Sequence, residues 1–467
     1  RGKLAWLFAL LVSALSFCVA ATLLTTVYNH GVISYALGGW QAPWGIEYRI
    51  DLLNAWLLVI VSASSTISLL AAQSSISTEI SLDKQGLFYV AWLLCLAGLL
   101  GILATGDAFN VFVFLEISSL STYTLISLGP NRKSLWAAFR YLIMGTIGAT
   151  FILIGIGLMY IMTGTLNMQD LAQRLPSAGE SSTVFAAYAF ILVGISLKLA
   201  LFPLHLWLPN AYSQAPSIVT SFLAASATKV ALYLLIRFTY TIFPSEFSQF
   251  VVPLADIFVA LGVLAVFSAS IVAIYQEEIK RAIAYSSIAQ IGYMVIGLGI
   301  GGVLGLQATL IHVFNHALMK ATLFMALAAI AARIGATTLT SMQGLGRKMP
   351  WTSFGFVVGG LSLIGVPLTA GFISKWYLVS AAALTGRWPL VFLILLGSLL
   401  AIVYIWRVVE ALYFKPAADN SPVKEAPIAM LLALWLLVLG NVYFGIDTRL
   451  SVSISSEAAT ALVEGRP

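Results

Sequence analysis

Charge is what this sequence has least of. Asp, Glu, Lys and Arg make up 9% of its 467 residues, where a soluble domain carries about 25%. That shortage excludes an ordinary soluble fold, and no stretch between the apolar runs is long enough to form a soluble domain. Cysteine is equally scarce. Cys18 and Cys95 lie far apart inside apolar runs, too few for an iron–sulfur or zinc site. The chain therefore holds no redox centre through cysteine, and both residues read as small packing groups. There is no nucleophile elbow, phosphate loop or dinucleotide fingerprint. The glycines at 297–305 lack the strand that such a site needs and read as a turn between helices. No catalytic centre, cofactor or resident metal is expected in this chain, and whether it belongs to an enzyme stays open. The formal charge is +6, but the basic residues sit in short loops and form no basic, aromatic-laced surface for nucleic acid.

What the chain has in excess is apolar side chains, 60% of the total. Their natural solvent is lipid. A membrane helix needs about 20 mostly apolar residues to cross a hydrocarbon layer of roughly 30 Å. Such runs recur at 4–27, 51–72, 87–106, 109–128, 135–163, 183–208, 217–239, 250–275, 282–300, 303–332, 352–384, 388–413 and 427–446. The expected fold is an all-α integral membrane protein of thirteen helices, one polytopic domain over 1–467. The first run, Leu4 to Val27, exceeds the 7–15 apolar residues of a signal-peptide core, so it reads as a membrane helix.

The loops orient these helices. One side takes twelve basic residues: Arg1, Lys3, Lys84, Arg132, Lys133, Lys280, Arg281, Arg333, Arg347, Lys348, Lys415 and Lys424. The other takes four: Arg49, Arg174, Arg237 and Arg387. Positive loops stay inside, which places the amino end as given in the cytoplasm and a tail, 447–467, outside. The sequence opens on Arg1, so a preceding segment is expected.

Pro203 and Pro367 fall inside the long runs 183–208 and 352–384. Proline removes a backbone donor and breaks a helix. In a membrane such a break survives only where protein or a water cavity satisfies the freed backbone. The two broken segments are five helices apart, and five is odd, so they run in opposite directions. That is the pattern of an inverted repeat with its working site near the breaks. The expected units are 87–239 and 250–413, followed by a final helix at 427–446.

A charge at the bilayer centre costs about 2.5–3.5 kcal/mol even on the lenient insertion scale. Glu116, Lys198, Lys229, His312, His316, Lys320 and Lys375 all lie well inside their runs. Glu116 sits in Phe109-Asn-Val-Phe-Val-Phe-Leu-Glu-Ile-Ser-Ser-Leu-Ser-Thr-Tyr, with Ser119 and Thr122 near its own helical face. It reads as a proton-binding carboxylate, or as a group that only locks two helices together. Lys198 precedes the break at Pro203, and Lys229 lies among Thr220, Ser226 and Thr228. Burial disfavours charge on a lysine unless an acid is near, so both can exchange a proton; the bland alternative is a partner that balances Glu116. His312, His316 and Lys320 are four apart and share one face with Asn315 beside them. Histidine titrates near physiological pH. Paired histidines could instead ligate a metal, but no third acidic or cysteine ligand accompanies them. His205, just past the first break, is placed at a mouth of the pathway. Asp51, Asp107, Asp256, Arg140, Arg237, Arg407 and Glu410 lie nearer helix ends and read as structural or interfacial, with Arg407 and Glu410 spaced for a contact within one helix.

Several stretches together resemble a known family. They are the segment around Glu116, Ser196-Leu-Lys-Leu-Ala-Leu-Phe-Pro-Leu-His-Leu-Trp-Leu-Pro-Asn-Ala with the following Ala215-Pro-Ser, His312-Val-Phe-Asn-His-Ala-Leu-Met-Lys-Ala-Thr-Leu-Phe, and Gly371-Phe-Ile-Ser-Lys. They resemble the antiporter-like membrane subunits of respiratory complex I. Within that family the chain is most similar to the D-type membrane component of Mrp-type multisubunit sodium/proton antiporters and its counterparts in membrane-bound hydrogenases. The resemblance covers nearly the whole chain. It implies fourteen helices with two inverted five-helix units, so a first helix is expected ahead of Arg1. It implies that Glu116 pairs with Lys198 at the gate of a first half-channel, that Lys229, His316 and Lys320 continue the line, and that Lys375 ends it. Some complex I relatives carry glutamate at that last position, so Lys375 leans toward the Mrp-like branch.

The expected function is proton translocation in a multisubunit sodium/proton antiporter of a prokaryotic cell membrane. The expected proton-transfer residues are Glu116, Lys198, Lys229, His316, Lys320 and Lys375, with His205 and His312 secondary. Expected partners are other membrane subunits, the lipid bilayer, protons and, as an open candidate, sodium. Two alternatives remain: a proton-pumping subunit of a redox complex, and a structural membrane subunit that transports nothing.

Overall fold

The computed structural model describes residues 2–179, 181–243, 253–417 and 422–465. Arg1, the first residues of the expected 250–275 span and the last two of the carboxyl end lie outside them. Among the described residues, twelve helices are long and apolar enough to cross a membrane. They are α1 (Gly2–His30), α2 (Leu52–Glu79), α3 (Gln85–Ala104), α4 (Ala108–Ser127), α5 (Arg132–Thr163), α7 (Ser182–Leu199), α9 (Ser217–Arg237, continued by a short π-helical turn), α10 (Leu254–Ile274), α11 (Ile279–Ile300), α12 (Gly302–Ile334), α16 (Trp388–Tyr413) and α17 (Ile428–Ile446). The thirteenth span is broken in two, α14 (Pro350–Ile364) and α15 (Ala370–Leu384), each too short to cross alone. Shorter helices complete the set: α6 (Met168–Arg174), α8 (Trp207–Gln214), α13 (Leu345–Lys348) and α18 (Arg449–Val463). A two-stranded antiparallel hairpin, β1 (Ile33–Ala36) and β2 (Glu47–Ile50), joins α1 to α2.

The ends of these helices are set by short polar side chains. Asp51 caps α2, accepting from the Asn54 backbone N–H while the Asn54 side chain accepts from Asp51 N–H. Asp107 caps α4 by accepting from Asn110 N–H at 2.7 Å. Arg407 departs from expectation. It reaches Glu277 at 3.4 Å, and Glu410 instead meets Lys415 at 3.8 Å. The end of α10 brings Glu277 beside α16, and a carboxylate there competes with the one on Arg407's own helix.

Helices pack closely where side chains are absent. A Cβ added at Gly194 on α7 would stand 2.6 Å from the Gly148 carbonyl on α5, and one at Gly292 on α11 would stand 2.6 Å from the Gly262 carbonyl on α10. Small residues that let backbones approach are the usual device of helix pairing in lipid. α9 and α11 are buried at every residue except Ala227 and Arg281. α1 instead turns Leu4, Phe8, Leu11 and Leu15 outward, as a helix at the lipid boundary should.

α12 is the central element and packs against α9, α11, α14, α15, α17 and α18. α17 runs antiparallel to it: Asn441 donates to Thr322 at 2.8 Å, and the Phe444 and Phe314 rings meet at 4.7 Å. Past α17, where a tail was expected, the chain bends at Asp447 and Thr448 and forms α18, which packs on α12 and α2.

Candidate functional site

Two helix breaks organise the membrane interior. α7 stops at Ala200 and the chain resumes as α8 at Trp207. α14 stops at Gly365 and resumes as α15 at Ala370. Each break holds one non-glycine residue, Ala200 (φ 58°) or Leu368 (φ 69°), in the left-handed region, and these are the two non-glycine residues with positive φ among the described residues. Such backbone costs of the order of 1–3 kcal/mol and persists only where the surroundings impose it.

The first break places Lys198. Its buried ammonium donates to Ser119 Oγ at 2.7 Å and, more weakly, to Tyr123 Oη at 3.4 Å, both on α4. The expected direct pair with Glu116 is not made. Ser119 and Tyr123 stand one and two turns further along the same helix, and the ammonium reaches them first. Glu116 remains within coulombic reach of Lys198, and its half-buried carboxylate has one oxygen without a hydrogen-bond partner. Thr122, expected on the same face, turns to Cys95 instead.

The second break places Lys375. Its ammonium donates to the carbonyls of Leu363 and Ile364, at 3.0 and 2.9 Å, in the last turn of α14. Those carbonyls lost their helical partners at the break, and a helix carboxyl end carries partial negative charge. The ammonium also lies 5.0 Å above the centre of the Tyr293 ring.

Between the two breaks lie the polar groups of α9 and α12. Lys229 donates to the Ala224 carbonyl in a very short hydrogen bond. Lys320 donates to the Ile283 carbonyl at 2.9 Å and, in another very short bond, to Ser286 Oγ. His312 Nδ1 and Ser374 Oγ share a hydrogen bond at 2.8 Å, while neither ring nitrogen of His316 has a partner. The two imidazoles stack at 6.0 Å, only 7° from parallel, so they do not converge on one point as metal ligands would. Lys229 lies within coulombic reach of His312, His316 and Lys320, and Lys375 within reach of His312. Asn315 donates to the Ala370 carbonyl at 2.6 Å and ties this helix to the second break.

Lys229, His316, Lys320, His312 and Lys375 thus form one connected group, with Glu116 and Lys198 a second, separate one. No direct contact joins Lys198 to Lys229 among the described residues. His205 is buried in the first break, stacked on Phe202 at 5.3 Å with Nδ1 unpartnered. Among the described residues, no carboxylate lies within 4.0 Å of any of the four lysines. Sequence reasoning missed Tyr123, Tyr293 and Ser286. The signal for two of them was present: Ser286, Gln290 and Tyr293 recur at helical spacing in an otherwise apolar run.

Groups of this kind can take up and release a proton. Each ammonium rests on neutral carbonyl or hydroxyl acceptors that tolerate either protonation state. Two positive charges 6.0 Å apart repel by roughly 3 kcal/mol at an effective dielectric constant of 20.

Comparison with known proteins places the fold in a family. Residues 105–401 match the family described as NADH:quinone oxidoreductase/Mrp antiporter, transmembrane region. The chain is 43% identical to subunit N of NADH-quinone oxidoreductase from Desulforudis audaxviator, over 88% of this chain and 84% of that one. It is 32% identical to the D-type component of the Na+/H+ antiporter from Alkalihalophilus pseudofirmus, over 84% of this chain and 78% of that one. Its fold matches a chain of the Mrp complex from Dietzia with a TM-score of 0.91 at 23% identity, over 100% of this chain and 94% of that one. A helical membrane chain with two broken helices flanking buried lysines, matched by a family model over most of its length, belongs to the NADH:quinone oxidoreductase/Mrp antiporter membrane-subunit family.

Proposed function

We propose that this chain is the proton-translocating membrane subunit of a multisubunit cation/proton antiporter of the Mrp type, in a prokaryotic cell membrane. The observation that carries the reading is the line of buried lysines and histidines that no carboxylate neutralises among the described residues. A fixed structural charge would be paired, since an unpaired buried charge is strongly destabilising. A relay needs groups that gain and lose a proton at modest cost.

Protons enter at the first break, where Glu116 and Lys198 exchange them beside Ser119 and Tyr123. They pass by water to Lys229, then to His316 and Lys320, and leave the relay at Lys375 by way of His312. Arrival of a charge at one site drives the next charge onward, because the neighbours repel in a poorly screened medium. The two five-helix units, 87–239 and 250–413, are inverted copies in this reading. Support comes from two isolated bridges, Asp107 to Asn167 and Glu278 to Thr338, which join corresponding loops across the same chain separation. Sodium exchange and the other membrane subunits complete the complex.

A second reading has a specific observation in its favour. The 43% identity to a protein named for NADH-quinone oxidoreductase exceeds the 32% to an antiporter component, and fits a proton pump driven by a redox partner. Purification of the native complex and mass spectrometry of its subunits separates the two. The relay itself is tested by Glu116→Ala and Lys198→Ala, each of which abolishes proton-linked transport while the complex still assembles. Full transport in both variants refutes it.

A further inference from the structure

We propose that the Asp51–Arg237 ion pair is the gate of a proton route running from Lys229, through Tyr233, to the outer face that carries the hairpin. The inference rests on the relay reading, with Lys229 as its central group.

Lys229, Tyr233 and Arg237 recur every four residues on α9 and so form one stripe along it. Arg237 donates from Nε to Tyr233 Oη at 3.2 Å, and its Nη2 meets Asp51 Oδ2 at 2.7 Å. Tyr233 in turn donates to the Leu103 carbonyl at 3.3 Å. The pair is buried, and it stands between two cavities. The outer one, about 320 Å³, is lined by Gln169, Tyr240, Thr241 and Ala461. The inner one, about 10 Å³, is lined by Asn54, Thr105 and Tyr233. That is about the space one water needs, and the lining offers it polar partners. Asp51, Gln169, Arg237 and Thr241 line both cavities, and of these four Asp51 and Arg237 are the charged pair.

A purely structural role explains this pair poorly. The α2 cap is already complete through Asn54, and a buried ion pair is weak evidence for stability. Glu47 and Arg49 approach each other at 3.8 Å in the same corner, and Arg49 also lines the inner cavity. Asp51, Arg237 and Arg49 therefore line a pocket of one water's size.

The structure holds this route shut. Helical side chains lean toward the amino end of their helix, and Lys229 turns to Ala224, away from Tyr233. Opening requires Lys229 to turn toward the pocket and Arg237 to swing into the outer cavity. Tyr233 then accepts a proton on its oxygen from the Lys229 side as it gives its own hydroxyl proton to the pocket water. Asp51, freed of Arg237, takes that proton and releases it to water in the outer cavity.

The test uses the assembled complex in membrane vesicles, with Cys18 and Cys95 replaced by serine. Ala461→Cys puts a thiol in the outer cavity, and a membrane-impermeant cationic methanethiosulfonate is the probe. Added on the hairpin side, the reagent lowers proton-linked transport of Ala461→Cys at least tenfold; added on the opposite side, it leaves transport unchanged. Tyr233→Phe keeps the ring, loses the hydroxyl, and also lowers transport about tenfold with the complex intact. Full transport in labelled A461C or in Tyr233→Phe, in membranes where Glu116→Ala abolishes transport, overturns the gate. Full transport in Glu116→Ala instead overturns the relay on which it stands.

Discussion

Ser119 is the sharpest place to perturb the first half of the relay. Lys198 holds two hydroxyl acceptors on α4 at unequal distances, Ser119 Oγ at 2.7 Å and Tyr123 Oη at 3.4 Å. A hydrogen bond to a charged group contributes about 1.5–3 kcal/mol, and about 1.4 kcal/mol is a factor of ten. Ser119→Ala removes the short bond and leaves only the long contact to Tyr123, so the ammonium's occupancy of this position falls roughly 10- to 100-fold. Tyr123→Phe removes a contact near the limit of hydrogen-bond geometry, where the interaction is weak, and costs less than about threefold. Transport is read as sodium-dependent collapse of a pH gradient in everted vesicles, normalised to assembled complex on a native gel. The expected order is wild type, then Tyr123→Phe close behind, then Ser119→Ala far below. Unchanged transport in Ser119→Ala, or a larger loss in Tyr123→Phe, refutes the argument from distance.

Lys320→Met replaces a buried ammonium by an apolar chain of similar size; the thermal midpoint of the purified complex stays level or rises, while vesicle transport drops at least a hundredfold. Gly194→Val pushes α7 from α5, because even its Cβ meets the Gly148 carbonyl at 2.6 Å; a cost of about 1–3 kcal/mol appears as less folded protein surviving a heat step. Asn315→Ala strands the Ala370 carbonyl, and hydrogen exchange across 365–371 rises several-fold, in keeping with a lost bond of about 1 kcal/mol.

Much of the fold was legible because lipid imposes so simple a rule on sequence. Every expected span found its helix, since hydropathy and length decide membrane crossing almost alone. Pro203 and Pro367 marked both breaks, because proline cannot complete the ladder. The second break also relies on Gly365 and Leu368, whose left-handed conformations no residue pattern announces. The buried lysines were visible as exceptions in apolar runs. Their partners were not: Lys375 rests on two backbone carbonyls and a tyrosine of another helix, and sequence does not record which carbonyls a break sets free. The Glu116–Lys198 contact failed for a similar reason. Resemblance supplied a pairing, and a difference of one helical turn on α4 gave the ammonium a serine instead. Arg237 looked like a helix-end charge until the fold brought Asp51 beside it.

The bend at Asp447 and Thr448 makes the last two helices a brace. Gly445 sits so close to Thr369 that a Cβ there would stand 2.5 Å from its backbone, which leaves the second break no slack against α17. Beyond the bend, α18 ends with Ala461 and Leu462 in the wall of the outer cavity. The second break, which also positions Lys375, and the wall of the far cavity are thus both in contact with the one α17–α18 unit. Two places that share no side chain are thereby braced by one continuous stretch of chain.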